Sequence, residues 1–280
     1  MLAAVGTLGY VLWNPNPVLI DLGFYTLRWY SVLFATGIAL SYVLVRGAFR
    51  RAGLADALFE KFVLAVVLGM FAGMRLGHFL FYEPMGFIER PLEVFLPVSF
   101  TPEFHFTGYQ GLASHGGAIG VLVAVGWFIS KHRVVSVAFV LSQLAWVSCL
   151  LGGFIRLGNL MNSEIIGHPS AVPWAFVFAS VDMLPRHPAQ VYEALGYFTA
   201  FVLLSFYRSR SGFHSHGRWF GLSLVLIFGW RFFVEFFKED QVAFEQVLWL
   251  NMGQLLSVPF VVGGVLIWYF SHRSETDSYK

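Results

Sequence analysis

Phe154-Ile155-Arg156-Leu157-Gly158-Asn159-Leu160-Met161-Asn162-Ser163-Glu164-Ile165-Ile166-Gly167-His168-Pro169 closes a long apolar run and then turns polar. Arg156, Asn159, Asn162 and Glu164 are expensive there, because one Arg at the centre of a membrane helix costs about 2.5–3.5 kcal/mol on the most lenient scale. A chain that keeps such a cluster at the end of a span reads as one that binds a charged group. The run before it, Val134–Ile155, reads as a membrane helix, and that assignment organises the rest of the sequence.

Of 280 residues, 57% are apolar and 12% charged, about half the usual charged fraction. This predicts an all-α polytopic membrane protein, one integral membrane domain over residues 1–280. A net charge of +2 without a basic tract or finger spacing excludes nucleic acid as a partner. No His, Cys or carboxylate group shows metal-ligand spacing. The single cysteine, Cys149, sits in an apolar run and reads as a small buried hydrophobe. Met1 to Trp13 is apolar without a basic flank, and Asn14-Pro15-Asn16-Pro17 breaks any helix. It is expected to be a retained interfacial segment.

Seven segments approach the roughly 20 residues that cross a hydrocarbon core about 30 Å thick: Tyr25–Val45, Phe62–Tyr82, Leu112–Ser130, Val134–Ile155, Pro188–Tyr207, Trp219–Phe237 and Asn251–Phe270. Arg46, Arg50, Arg51, Lys61, Lys131, Arg133, Arg208, Arg210, Arg218, Arg273 and Lys280 all fall on one side of these seven transmembrane helices. The positive-inside rule makes that side cytoplasmic, with the N-terminus outside and the C-terminus inside. The long outer connections, near 83–111 and 161–187, are candidate docking loops. Glu103 lies in the first and Trp174 in the second.

Polar residues recur at the outer ends of these spans. Arg75 and His78 share a helix face, for ligand binding or as packing glue. Arg231 and Glu235 are four apart, a ligand site or a structural ion pair. His115 precedes Gly116 and Gly117, which weaken a helix but admit a close backbone or ligand. His187 precedes Pro188, and Gln190, Tyr192 and Glu193 follow in the first helical turns, as binding groups or a polar cap. Tyr30 alone reads as a girdle aromatic. With this topology His115, Arg156, Asn159, Glu164, His187, Gln190, Arg231 and Glu235 share one expected depth, which predicts a single site toward the outer leaflet.

Taken together, Arg28-Trp29-Tyr30, Arg75-Leu76-Gly77, His115-Gly116-Gly117, Arg156 to Gly167, Arg186 to Glu193, Arg231 with Val234-Glu235-Phe236-Phe237, and Met252 to Pro259 resemble the prolipoprotein diacylglyceryl transferase family. The blocks run through nearly the whole chain in family order. Met74 and Ile155 stand where the family pattern commonly has Gly. The resemblance implies a bacterial inner-membrane enzyme of lipoprotein biosynthesis. It would move the diacylglyceryl group of phosphatidylglycerol to the lipobox cysteine of a prolipoprotein, without metal or cofactor. It assigns His115, Arg156 and Arg231 to catalysis. Tyr30, Arg75, Gly116, Gly117, Asn159, Asn162, Glu164, Gly167, His187, Gln190, Tyr192, Glu193 and Glu235 would bind and orient substrate, the two glycines by letting lipid approach.

The chemistry fits these residue types. Displacing a phosphate monoester from a saturated carbon requires stabilising the leaving charge, which guanidinium groups grip bidentately. A thiol with a pKa near 8.5 needs a base such as His115. A lipid-binding or carrier protein would use the same cationic pocket without needing that base. An acyltransferase acting on an ester carbonyl would call instead for oxyanion donors.

Overall fold

The computed structural model describes residues 9–23, 26–96, 98–99, 104–106, 113–211, 215–239 and 249–277. Met1 to Leu8, Tyr25, Glu103, Gly111, Leu112 and Lys280, which figure in the expectations above, lie outside the described residues. Each of the seven apolar segments overlaps a long helix: α1 (Trp29–Arg51), α2 (Asp56–Phe81), α5 (Ser114–Lys131), α6 (Val137–Met161), α7 (Ala189–Ser211), α8 (His216–Val234) and α9 (Met252–Asp277). The short helices α3 (Gly86–Glu89) and α4 (Pro91–Phe95) follow α2. Six of the long helices are long and apolar enough to cross a membrane, and α5 is shorter. Their outward faces carry exposed Leu64, Leu68, Leu122, Val123 and Val202, a surface suited to hydrocarbon. The chain is a polytopic helical membrane protein.

The all-helical expectation is corrected in one respect. Among the described residues there are seven short strands: β1 (Val11–Trp13), β2 (Val18–Asp21), β3 (Thr26–Arg28), β4 (Val98–Ser99), β5 (His105–Phe106), β6 (Phe176–Phe178) and β7 (Pro185–Arg186). They pair as β1-β6-β7, β2-β3 and β4-β5, with β1 parallel to β6. The end of the expected interfacial segment is thus a strand, and Trp13 Nε1 donates to Leu160 O at 2.9 Å. Strands this short carry no readable alternation.

The chain divides into two compact units, residues 1–48 with 141–280, and residues 49–140. In the second, α2 and α5 meet along glycines. A Cβ on Gly73 would lie 2.2 Å from Gly116 O, and one on Gly120 2.0 Å from Gly69 O. Gly69, Gly73 and Gly77 recur every four residues, the small-residue spacing that lets membrane helices touch backbone to backbone. Below this seam Phe49, Phe59, Phe62, Phe128 and Phe139 pack with centroids 5.2–5.3 Å apart in the contacting pairs.

In the first unit, Trp146 of α6 stacks on Phe201 of α7 and donates to Ser205 Oγ at 2.8 Å. Phe228 of α8 stacks on Phe260 of α9 at 4.2 Å. Gly196 of α7 has no room for a Cβ, because Trp230 of α8 occupies the space and donates to Tyr192 O at 2.9 Å. These contacts bring the ends of α6, α7 and α8 together at the polar cluster.

Candidate active site

Arg156 and Asn159 occupy the last two turns of α6, three residues apart on one face. Arg156 Nη1 donates to Asn159 Oδ1 at 3.1 Å, and Asn159 Nδ2 donates onward to Glu164 Oε2 at 2.9 Å. Asn159 can link a cation to an anion because its amide offers an acceptor at one end and donors at the other. Asn162 Nδ2 donates to Glu164 Oε1 at 3.1 Å. The chain reverses here through Ser163 (φ 55°) and Ile165 (φ 57°). A β-branched residue in the left-handed region is a true outlier, of the kind found where structure is held for function. The reversal lays the exposed Glu164 back over the helix end, with its backbone N–H on Asn159 O at 2.9 Å. Gln190 Nε2 donates to Glu164 O at 2.6 Å. Tyr30 of α1 lies over Gly158, where a Cβ would sit 2.6 Å from its ring.

A second layer is charged, with Glu193, Glu235 and Lys238 buried. Arg156 Nε meets Glu193 Oε2 of α7 at 2.8 Å, and Glu193 is fully buried. Arg231 Nη2 meets Glu235 Oε1 at 3.6 Å. Lys238 joins the two pairs: its Nζ donates to Glu235 Oε1 at 2.7 Å and lies 3.9 Å from Glu193 Oε1. Lys238 is absent from the residues expected from sequence, although its spacing of three from Glu235 was visible. Asn251 Nδ2 donates to Glu235 Oε2 at 3.3 Å. A Cβ on Gly253 would fall 2.3 Å from the Glu235 carboxyl carbon, so the Met252-Gly253 motif makes room for that side chain.

The loop 161–187 is tied down beside this layer. His168 N donates to Phe237 O at 2.9 Å, Glu239 N to Ile166 O at 3.2 Å and Gly167 N to His187 O at 3.1 Å. Gly167 is therefore wedged between two backbones, and a Cβ there would sit 2.5 Å from both His187 O and Phe237 O. The structure gives Gly167 a packing role at this crossing. The Gly167→Ala variant is expected to separate these backbones, displace the adjoining Lys238, lower the melting temperature and reduce any ligand-dependent activity, since overpacking costs about 1–3 kcal/mol of stability. Unchanged activity and melting temperature in that variant would refute the wedge.

His187 Nδ1 lies 3.0 Å from Tyr192 Oη, which also accepts from Trp174 Nε1 at 2.7 Å. Burial, and then the charge of His168, push the His187 imidazole below its usual range, which favours the neutral ring at neutral pH. Arg186 Nη1 donates to Gly167 O at 3.1 Å, and the same side chain grips Asp182 with Nε 3.0 Å from Oδ2. The hydrogen bond from Arg186 holds the Asp182 carboxyl below its usual value of 3.8. A depressed carboxylate stabilises the fold above its unfolded pKa and loses that contribution as pH falls through its lower folded value. Melting curves should therefore show an acid-dependent loss beginning below about pH 4, and Asp182→Asn should remove that component. An identical acid limb in wild type and variant would refute it.

The remaining expected site residues lie in the second unit. His115 is exposed at the start of α5. The space beside Gly116 is taken by the backbone of Gly73 and Gly77, and that beside Gly117 by Met74. Gly116 thus admits the close backbone that was one of its two expected uses, and Met74 fills the room that Gly117 leaves. Arg75 donates from Nε to Val94 O at 3.1 Å and from Nη2 to Glu93 O, and its guanidinium covers Phe79 at 4.7 Å. It satisfies carbonyls at the end of α4.

Fold and site define a polytopic membrane protein with a buried, cation-rich cluster, a class in which intramembrane charge marks a functional site. Residues 17–270 match the family model described as prolipoprotein diacylglyceryl transferase. A relative from Bacteroides fragilis is 45% identical over 94% of this chain and 96% of its own length. Others from Tolumonas auensis and Chloroherpeton thalassium are 40% and 38% identical, over 95% and 93% of this chain and 99% and 94% of their own. All three carry the name phosphatidylglycerol–prolipoprotein diacylglyceryl transferase. The chain belongs to the prolipoprotein diacylglyceryl transferase family.

Proposed function

We propose that this chain transfers the diacylglyceryl group of phosphatidylglycerol to the lipobox cysteine of prolipoproteins, the reaction named for its relatives. Seven helices cross the bacterial inner membrane, with the N-terminus outside, the C-terminus cytoplasmic and the active site toward the outer leaflet. The basic residues on one side of the spans support that orientation. The observation that carries the chemistry is the pair of arginines, Arg156 and Arg231, each held by a carboxylate through at least one nitrogen. Each guanidinium has further N–H donors for phosphate oxygens.

In the reaction, the sulfur bonds to the glycerol carbon that bears the phosphate. The C–O bond breaks, and its electron pair leaves with glycerol phosphate. Arg156 and Arg231 stabilise the phosphate charge. His115 receives the thiol proton, a role that rests on the family resemblance.

Purified protein incubated with phosphatidylglycerol and a lipobox peptide should give a peptide heavier by one diacylglyceryl group. Absence of that adduct, where a known family member forms it, would sink the proposal, and lipid binding without adduct would indicate a carrier. His115→Gln should lower the rate by roughly 10²–10⁴-fold, the range for general acid–base catalysis. A near-full rate across pH would remove His115 as base.

A further inference from the structure

Five charged side chains of the first unit form an alternating row, Arg156, Glu193, Lys238, Glu235, Arg231, of which the middle three are buried. With all five ionised, three cations face two anions and the row carries one uncompensated positive charge. The central member is the most enclosed of the cations, since the side chains of Lys238, Arg156 and Arg231 are 5%, 14% and 31% exposed. The partly exposed cations are the two at the ends, and the one between the carboxylates is buried.

We infer that Lys238 is the charge-setting and positioning residue of this site: its ammonium, lodged between Glu193 and Glu235, neutralises the carboxylates so that Arg156 and Arg231 keep positive charge for an anionic lipid headgroup. The inference rests on the transfer reading above for its choice of lipid. Without Lys238 the row would sum to zero, and each arginine would face a carboxylate that no other cation shares. A guanidinium committed to a buried carboxylate has less attraction left for phosphate.

The backbone holds Lys238 at this point. It follows a 3-10 turn over Glu235–Phe237 and bridges to Gly167, flanked by the bonds from His168 N to Phe237 O and from Glu239 N to Ile166 O. The Gly167 loop therefore sets where the ammonium sits, and through it the carboxylates that orient both arginines. A lysine serving only as structural glue would change stability without changing the preference for anionic lipid.

The test compares full-length wild type, Lys238→Met, Lys238→Arg and the double variant Lys238→Met with Glu235→Gln, each in nanodiscs. Binding of phosphatidylglycerol and of uncharged diacylglycerol is read by native mass spectrometry, beside kcat and KM for transfer to a lipobox peptide. Lys238→Met should weaken phosphatidylglycerol binding by about 30-fold or more, the scale of breaking a buried charge pair, and leave diacylglycerol binding near wild type. The loss should appear chiefly in KM. Lys238→Arg should stay near wild type. The double variant restores the row to one net positive charge and should recover most of the lipid preference.

A folded Lys238→Met protein with unchanged preference, or a double variant no better than the single one, would overturn the inference. If Lys238→Met fails to accumulate, the double variant carries the test: preference near wild type supports the inference, and its loss overturns it. Wild type that prefers phosphatidylglycerol, loses that preference in Lys238→Met and yet makes no adduct would keep the role of Lys238 and reject the transfer. Adduct formation by Lys238→Met at the wild-type KM and lipid preference would do the reverse.

Discussion

Arg156→Ala is expected to abolish diacylglyceryl transfer, with a fall in kcat/KM of about 10³-fold or more, while the protein still inserts in the membrane. Two losses combine. Removing one preorganised donor to a developing oxyanion costs about 10²–10³ in rate. The same truncation strips Glu193, which is fully buried, of its partner at 2.8 Å and frees Asn159 Oδ1. Breaking a buried ion pair by deleting one member costs roughly 3–5 kcal/mol in soluble proteins, so the melting temperature should fall as well. Arg156→Lys separates the two effects. It keeps the charge but has no planar fork with which to hold Glu193 and Asn159 at once, so it should recover stability more than rate. Mass analysis of the lipobox peptide reads the rate, and wild-type turnover in Arg156→Ala would remove this residue from the mechanism.

The largest structural effect is expected in the second unit. Gly73→Leu places a side chain where even a Cβ would meet Gly116 O at 2.2 Å and Gly120 Cα at 2.8 Å. Both obstacles are backbone atoms, which cannot rotate away, so α2 and α5 must separate. A cost at the upper end of the usual overpacking range, about 3 kcal/mol, follows, and with it a drop in melting temperature of roughly 6–12 °C. Gly126→Leu is the control, because a Cβ there meets nothing within 4 Å. Equal melting temperatures for the two variants would refute the glycine seam.

Much of this was legible in the residues themselves. Every apolar segment expected to be a helix overlaps one, because some twenty apolar residues in a row have few other stable forms in hydrocarbon. Helix ends were less legible: α6 runs on to Met161 and carries Arg156 inside its last turns, since backbone bonding in the helix continues past the point where the side chains turn polar. Arg156, Asn159, Glu164, Gln190, Glu193, Arg231 and Glu235 do gather in one unit, as their polarity at span ends suggested.

Which neighbour the glycines admit was not legible from their position beside His115. The four-residue spacing of Gly69, Gly73 and Gly77 did carry that signal. Lys238 was hidden for another reason. It follows the apolar span among other charged residues, where solvated lysines are ordinary, and only the bridge to Gly167 and the turn after α8 carry it inward.

The parallel pairing of β1 with β6 bears on biogenesis. Val11–Trp13 aligns with Phe176–Phe178, and the Trp13 indole bonds to Leu160, 147 positions along the chain. Such long-range contacts must wait for loop closure. A strand that precedes α1 therefore has no mate until α6 and the loop after it have been synthesised. The cluster of Leu160, Ile166 and Phe178 that packs on Trp13 is completed by the same event. Assembly of this face waits for the loop after α6, so the polar residues at the end of α6 gain their full support only once that loop has been made.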